Sequence, residues 1–551
     1  MKYKLLILEL FCLFSIGRIY GQWPVIYGDT INKIALRVWE HYDKGYIFTG
    51  QMYEGWSYYG WLNKTDINGE VRWSKSYGKA SKMNQFTSSR ITSDGGLIFS
   101  GSTNNLSIDC TDPLVIKINA CGEKEWCKIY NAQGCNSWVK DIEISPGQGY
   151  IALIDRWKTG EEKRIWLFRL DSTGEVIWAQ VYATDTLFWS ELSHSLLMTT
   201  DTCFVITGQA YYPDPTYPNK WIIKIILIQV NLNGEAIFEV PWGTTNGIYS
   251  DGRLSIIDLE NNIYTAGRRA RTAAPYGDSP CLFKTSVTGE PVFYKDLKTT
   301  STAGIATTIN WFSDSTLVQC AGWLSPSGND TTALIKTDSL GNFIKEKPLL
   351  INYSSGSFWG SDITYNDRLI LAGFVYSAGV FNAYAFKVTS ELEYDSVYTT
   401  PFTYDSLCPY PIVSDTIPMD DCEVVIVGID EALQDPETTK LHVYPNPAKN
   451  RITIELPKYL VRRTNGLVGA GSEPAPTSGF GITATTIYHQ WKEVRLEVFD
   501  LFGRLMYSEM IPRQEKSIKL DISTWPGGMY VARMVFMNEV VGSAKFIVEK
   551  P

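Results

Sequence analysis

Few side chains in this 551-residue chain are placed for nucleophilic or metal chemistry. Its four histidines, His41, His194, His442 and His489, are scattered. Its ten cysteines contain no CxxC pair, so Cys110, Cys121, Cys127 and Cys135 lack the ligand spacing of a zinc site. A GxSxG nucleophile elbow, an HExxH helix, a P-loop and an EF-hand loop are all missing from the sequence. No catalytic residue, metal or cofactor is therefore assigned. Carboxylates are plentiful, and two of them at the right separation would hydrolyse a glycosidic bond, but the sequence singles out no pair. The distinctive chemistry is aromatic. MYEGWSYYGW (residues 52–61) and AYYPDPTYPNKW (residues 210–221) concentrate Tyr53, Trp56, Tyr58, Tyr59, Tyr211, Tyr212 and Tyr217 in two connections. Flat apolar faces with polar tips suit the binding of sugar or protein surfaces.

The elements that must position those residues follow from an internal repeat. GYIFTGQ (residues 45–51) followed by GWLNKTDINGEVRWSKSYG (60–78) recurs as GLIFSGS (96–102) followed by PLVIKINACGEKEWCKIY (113–130), and five further copies succeed it. The turn glycines Gly69, Gly122, Gly174, Gly234, Gly289 and Gly341 stand 52–60 residues apart, and Leu392 takes the matching place in the seventh copy. A second turn in each unit, such as Asp43-Lys44-Gly45 or Asp94-Gly95-Gly96, carries residues that tolerate positive φ. The first copy thus divides into four strands at residues 34–39, 45–51, 60–65 and 70–77.

Four short antiparallel strands repeated seven times specify a seven-bladed β-propeller, an all-β fold consistent with 13% aromatic residues and 44 glycines. Trp73, Trp126, Trp178, Phe238 and Phe293, four residues after the turn glycine, are expected to pack between blades. Lys64, Lys117, Arg169, Lys284, Lys336 and Lys387 recur five residues before the turn and are expected in structural ion pairs or on a solvated strand edge. WPVIYG (23–28) copies WSKSYG (73–78), so residues 23–28 are expected to close the ring as the outer strand of the last blade, with LEYDSVYTT (392–400) as the competing strand. The repeats resemble those of secreted bacterial propeller proteins over residues 23–400.

The ends carry addresses. Residues 1–21 place Lys2 and Lys4 before a short apolar run, the layout of a signal peptide, and no later window is apolar over the length a membrane span needs. The propeller is expected over residues 22–405, a Pro- and Asp-rich linker over 406–438, and a small antiparallel β-sandwich over 439–551. Export would place the cysteines in an oxidising compartment, where Cys408–Cys422 is the expected disulfide and Cys203 and Cys320 read as buried thiols. In the last domain Tyr444-Pro445-Asn446-Pro447, Asp500-Leu501-Phe502-Gly503-Arg504, Pro526-Gly527-Gly528-Met529-Tyr530 and Lys545-Phe546-Ile547-Val548 occur in order. This set resembles the type A C-terminal sorting domain of the type IX secretion system of Bacteroidetes. The resemblance implies two-step export, the type IX machinery as a partner, and a secreted or outer-surface location. Residues 460–491 depart from that pattern as an insertion rich in Gly, Ala, Pro, Ser and Thr, expected as a disordered loop.

Three functions from different classes remain, one of them a cell-surface structural or adhesion protein with no discrete pocket. Another is a non-enzymatic module that binds glycan or a surface protein through its aromatic connections. The alternative is a secreted polysaccharide-active hydrolase with acidic residues at the propeller mouth. A net charge of −9 with no basic run argues against a nucleic-acid partner.

Overall fold

The computed structural model describes residues 23–28, 30–107, 110–131, 136–147, 149–157, 164–182, 191–213, 221–242, 250–270, 278–297, 304–324, 330–349, 355–427, 439–455, 495–500, 504–511, 517–536 and 539–550. These residues are strands and turns, with no helix among them. The chain separates into one unit up to Glu431 and a second from Ala432. The expected signal peptide and the 460–491 insertion lie outside the described residues.

The first unit is a seven-bladed propeller. Blades 1 to 6 are antiparallel sheets at residues 32–77, 84–131, 136–182, 191–242, 250–296 and 304–349, each running in sequence order from inner to outer strand. Blade 7 takes its three inner strands from residues 355–389 and its outer strand from Val25–Tyr27. That closing strand pairs Val25 with Ala385 and Tyr27 with Ala383. Residues 392–400 contribute only an isolated bridge between Tyr394 and Val388.

One device repeats between blades. The outer-strand tyrosine of a blade donates its hydroxyl to the turn-glycine carbonyl of the next, as Tyr77 to Gly122 (2.8 Å), Tyr130 to Gly174 (2.7 Å) and Tyr182 to Gly234 (2.8 Å). Tyr27 donates to Gly69 (3.1 Å) and extends the device across the closure. The outer-strand aromatic four residues earlier lies on the same glycine: a Cβ on Gly69, whose φ is +86°, would stand 2.8 Å from the Trp23 ring. Glycine is needed there both for the left-handed backbone and for the ring above it. Leu392, buried at φ +59°, keeps that backbone shape where the glycine is lost.

Lys64, Lys117, Lys284, Lys336 and Lys387 form ion pairs, whereas Arg169 donates to the Leu232 carbonyl. Lys64 meets Asp43 at 2.5 Å, Lys117 meets Asp94 at 2.7 Å, Lys336 meets Asp314 at 2.9 Å and Lys387 meets Asp395 at 2.9 Å.

The segment expected as a linker is not one over its first half. Asp415–Ile417 pairs in parallel with the outer strand of blade 1, and Glu423–Ile426 with that of blade 2, so both sheets gain a fifth strand. Its prolines prevent it from folding back into a hairpin of its own, and the open edges of the two blades accept it instead. This path overturns the Cys408–Cys422 pairing. Cys408 bonds Cys121 and Cys422 bonds Cys127, with Cα atoms 5.6 and 4.7 Å apart, because the strap runs beside blade 2 and brings each cysteine to a distant partner. Cys203, Cys281 and Cys320 are buried thiols.

The second unit packs a five-stranded sheet, built around Arg495–Asp500, Gly528–Phe536 and Glu539–Val548, with the three strands His442–Tyr444, Arg451–Glu455 and Ser517–Asp521. Ile452, Ile454, Leu496, Val498, Trp525, Tyr530 and Phe546 fill the core between them.

Candidate functional site

The first aromatic connection is shorter than its sequence suggests. Tyr46–Glu54 and Ser57–Thr65 run as strands almost to its tip, leaving Gly55 and Trp56 as the turn. Alternation then sorts the side chains by face. Tyr53 and Tyr58 stack on one face at 5.2 Å between ring centroids, whereas Tyr59 turns to the other and lies against Gly78. Phe381 of blade 7 joins the stack at 6.3 Å from Tyr53, and Tyr376 packs on Phe381 at 4.9 Å. Trp56 is 92% exposed at the tip. Tyr211 lies half-buried on blade 4, paired with Ile223, and blade 4 is not adjacent to blade 1. Tyr217 and the side chain of Tyr212 lie outside the described residues. The structure therefore joins the blade 1 aromatics to blade 7, a neighbour in the ring that is distant in sequence.

A second constellation lies in the central channel. Every inner strand carries one β-bulge at the same place, marked by a break of register between Ala35 and Arg37, Phe86 and Ser88, Val139 and Asp141, Ser193 and Ser195, Gly252 and Leu254, Ala306 and Thr308, and Phe358 and Gly360. The extra residues are Leu36, Thr87, Lys140, His194, Arg253, Thr307 and Trp359. All seven, with Arg37 and Leu254, line one cavity of about 140 Å³. A bulge re-aims a side chain out of the alternation of its strand, and here it does so once per blade.

The bulge has a partner in the neighbouring strand. Gly50, Gly101, Gly208, Gly267 and Gly373 sit opposite the residue just before it. A Cβ on Gly50 would collide with the Ile34 carbonyl, and one on Gly101 with that of Gln85. The repeated second-strand glycine therefore marks the bulge. That is the signal by which sequence reading could have found the ring, which it missed because the lining residues differ in type from blade to blade.

The electrostatics of the ring are layered. Lys140 stands 3.5 Å from Asp155, His194 3.1 Å and Arg253 2.6 Å from Asp251, and Arg37 3.8 Å from Asp141. The cavity-lining bases keep 17–32% of their side-chain surface while the three acids keep at most 2%. Each acid also ties blades together. Asp141 takes an ion pair from Arg90 and the Leu196 amide, and Asp155 accepts the amide and hydroxyl of Ser193. Burial alone would raise the Asp141 and Asp251 carboxyls, but Arg90 and Arg37 around the first, and His194, Arg253 and Arg268 around the second, hold both below the ordinary range. Burial pulls His194 below its usual value despite Asp251.

No carboxylate lines this cavity among the described residues. Burial raises Asp112 and Asp362 to about 6, yet neither reaches the cavity. No group of three or more His, Cys, Asp or Glu is placed to hold a metal ion among the described residues. No helix among them is long and apolar enough to cross a membrane.

The sorting residues meet at one edge of the second unit. Asn446 accepts the Ile547 amide at 2.9 Å and donates to the Lys545 carbonyl at 3.3 Å. Tyr530 stacks on Phe546 at 5.6 Å and donates to the Pro526 carbonyl at 2.8 Å. Arg504 returns to Asp500 through its amide and its Nε, while Gly503 lies outside the described residues. Residues 474–549 match the secretion system C-terminal sorting domain. The matched span contains the Asp500, Tyr530 and Lys545 motifs and begins after Tyr444-Pro445-Asn446-Pro447. This sorting domain implies interaction with the type IX secretion system and indicates export, to a secreted or outer cell-surface location.

Among solved structures, the chain is similar to a Bacteroides caccae protein of unknown function, at 12% identity over 56% of this chain and 97% of that one, with a TM-score of 0.32. It is also similar to a Dyadobacter fermentans protein of unknown function, at 9% identity over 67% and 99%, with a TM-score of 0.38. A third similar structure is an ulvan lyase of a new polysaccharide lyase family, at 9% identity over 67% and 96%, with a TM-score of 0.46. No curated protein matches the chain in sequence.

Proposed function

We propose that this exported propeller is a non-enzymatic glycan-binding protein whose recognition face includes the blade 1 hairpin tip. The observation that carries the reading is Trp56. It is 92% exposed on a tight two-residue turn, beyond the Tyr53–Tyr58 stack that Phe381 of the adjacent blade joins. A large aromatic with only two side-chain torsions to order loses little conformational entropy on binding and offers a flat face to a sugar ring. Sorting to the cell exterior puts that face where polysaccharide is met.

The test is a glycan array probed with the full-length protein and with Trp56→Ala. Truncating a surface residue of this kind leaves stability within about 0.5 kcal/mol, so lost binding reports on recognition. Affinity is expected to fall about tenfold or more, the scale of a hot-spot aromatic. Array binding that survives Trp56→Ala unchanged, or a wild type that binds no glycan and captures a surface protein through Trp56, rejects the glycan reading.

A further inference from the structure

We infer that the channel ring is a separate binding site for one anionic sugar ring, its carboxylate or sulfate held by Arg37, Lys140 and Arg253 and its apolar face laid on Trp359. The site shares no residue with the blade 1 hairpin and does not depend on it.

Three observations lead there. First, the acids lie behind and the bases in front, so the wall turned to the cavity offers N–H donors and no carboxylate. Each buried acid uses only part of the donor set of its base. Arg253 keeps a buried Nε–H with no acceptor among the described residues. Oxyanions are the ligands that a fork of charged donors recognises best. Second, the cavity, at about 140 Å³, is no larger than one of roughly 150 Å³ that admits benzene, which leaves room for no more than one sugar unit and none for a folded chain. Trp359 lines it, with the Arg253 guanidinium 5.9 Å from its ring. Third, the blades repeat their packing residues and vary their bulge residues. A structural role would favour like residues at the seven equivalent places, whereas Leu36, Thr87, Lys140, His194, Arg253, Thr307 and Trp359 build one asymmetric pocket.

Isothermal titration of the full-length protein with sodium galacturonate, with galactose and with polygalacturonate tests the site. Galacturonate is expected to bind at least tenfold more tightly than galactose, with an affinity that falls as salt rises. Lys140→Gln should weaken it about tenfold. Leu36→Glu places a carboxylate in the ring without removing any base or acid, and should abolish binding while the melting temperature confirms the fold. Uptake of the free uronate identifies a monosaccharide ligand, and uptake of the polymer alone identifies a residue within a chain; either supports the site. Equal binding of galactose, no binding of either uronate form, or binding that persists in Leu36→Glu overturns it. Galacturonate binding lost in Trp56→Ala would assign the anion to the hairpin and overturn it as well.

Discussion

At the scale of single residues, burial of charge separates what holds this propeller together from what it presents. Lys64 is fully buried, meets Asp43 at 2.5 Å and donates to His41 Nδ1 at 2.8 Å, while His41 Nε2 reaches the Gly95 carbonyl of the next blade at 2.8 Å. Burial would raise the Asp43 carboxyl, but the charge and hydrogen bond of Lys64 and the Asp405 amide outweigh it and hold the group well below its ordinary range. Asp43→Asn leaves Lys64 buried without its counter-charge and is expected to cost about 3–5 kcal/mol at pH 7 by urea denaturation. Because the folded carboxyl is depressed, its contribution is complete above the unfolded value near 3.9 and is lost as pH falls toward the folded one. The gap between wild type and variant should therefore narrow below about pH 4. A gap absent at pH 7, or constant down to acid, would contradict this role. The lysine periodicity exposed the pairs in the sequence. His194 looked no different there from His41, because only the blade arrangement distinguishes a ring in a structural chain from one on the channel wall.

At the scale of strands, the closing segment can be weighed against the hairpin tip. Trp23 is buried, lies on Gly69 and meets Tyr46 edge-on at 6.1 Å, so it does for the closure what Trp73 and Trp126 do between consecutive blades. Trp23→Ala should cost about 3–5 kcal/mol, the range for emptying a large aromatic site, against less than about 0.5 kcal/mol for Trp56→Ala, both read by urea denaturation. Equal costs would mean that Val25–Tyr27 is a dispensable edge. The closure was legible because WPVIYG copies WSKSYG residue for residue at its ends. The bulges were less so, since the one residue out of phase looks like a shifted hairpin turn in strands this short, and the glycine that marks them is replaced by Ile154 in blade 3 and Ala321 in blade 6. Periodicity also hid the partner of the aromatic hairpin. Tyr53 meets Phe381 only because the ring returns blade 7 to blade 1, and no local pattern carries that distance.

At the scale of the whole propeller, the strap makes stability depend on both ends of the first unit. Seven blades and their order could be counted from the turn glycines. The strap could not, because parallel pairing on an outer edge needs no repeat and leaves no alternation in a Pro-rich segment. Its two disulfides span 287 and 295 residues but are not independent. With one intact, the other closes only the small ring through residues 121–127 and 408–422, worth roughly 3 kcal/mol in the chain-entropy model, whereas the first closure over the long loop is worth roughly 6 kcal/mol. Cys121→Ser with Cys408→Ser, or Cys127→Ser with Cys422→Ser, should then each cost roughly 3 kcal/mol, and removal of both bridges roughly 9 kcal/mol. Denaturation of the two single-bridge variants and the double one decides the matter. A double cost no greater than the two single costs together would mean that parallel pairing to Lys75–Tyr77 and Lys128–Asn131 holds the strap without covalent help. A larger cost would make the bridges one composite clamp, completed only once the chain has reached an oxidising compartment, where its sorting domain delivers it.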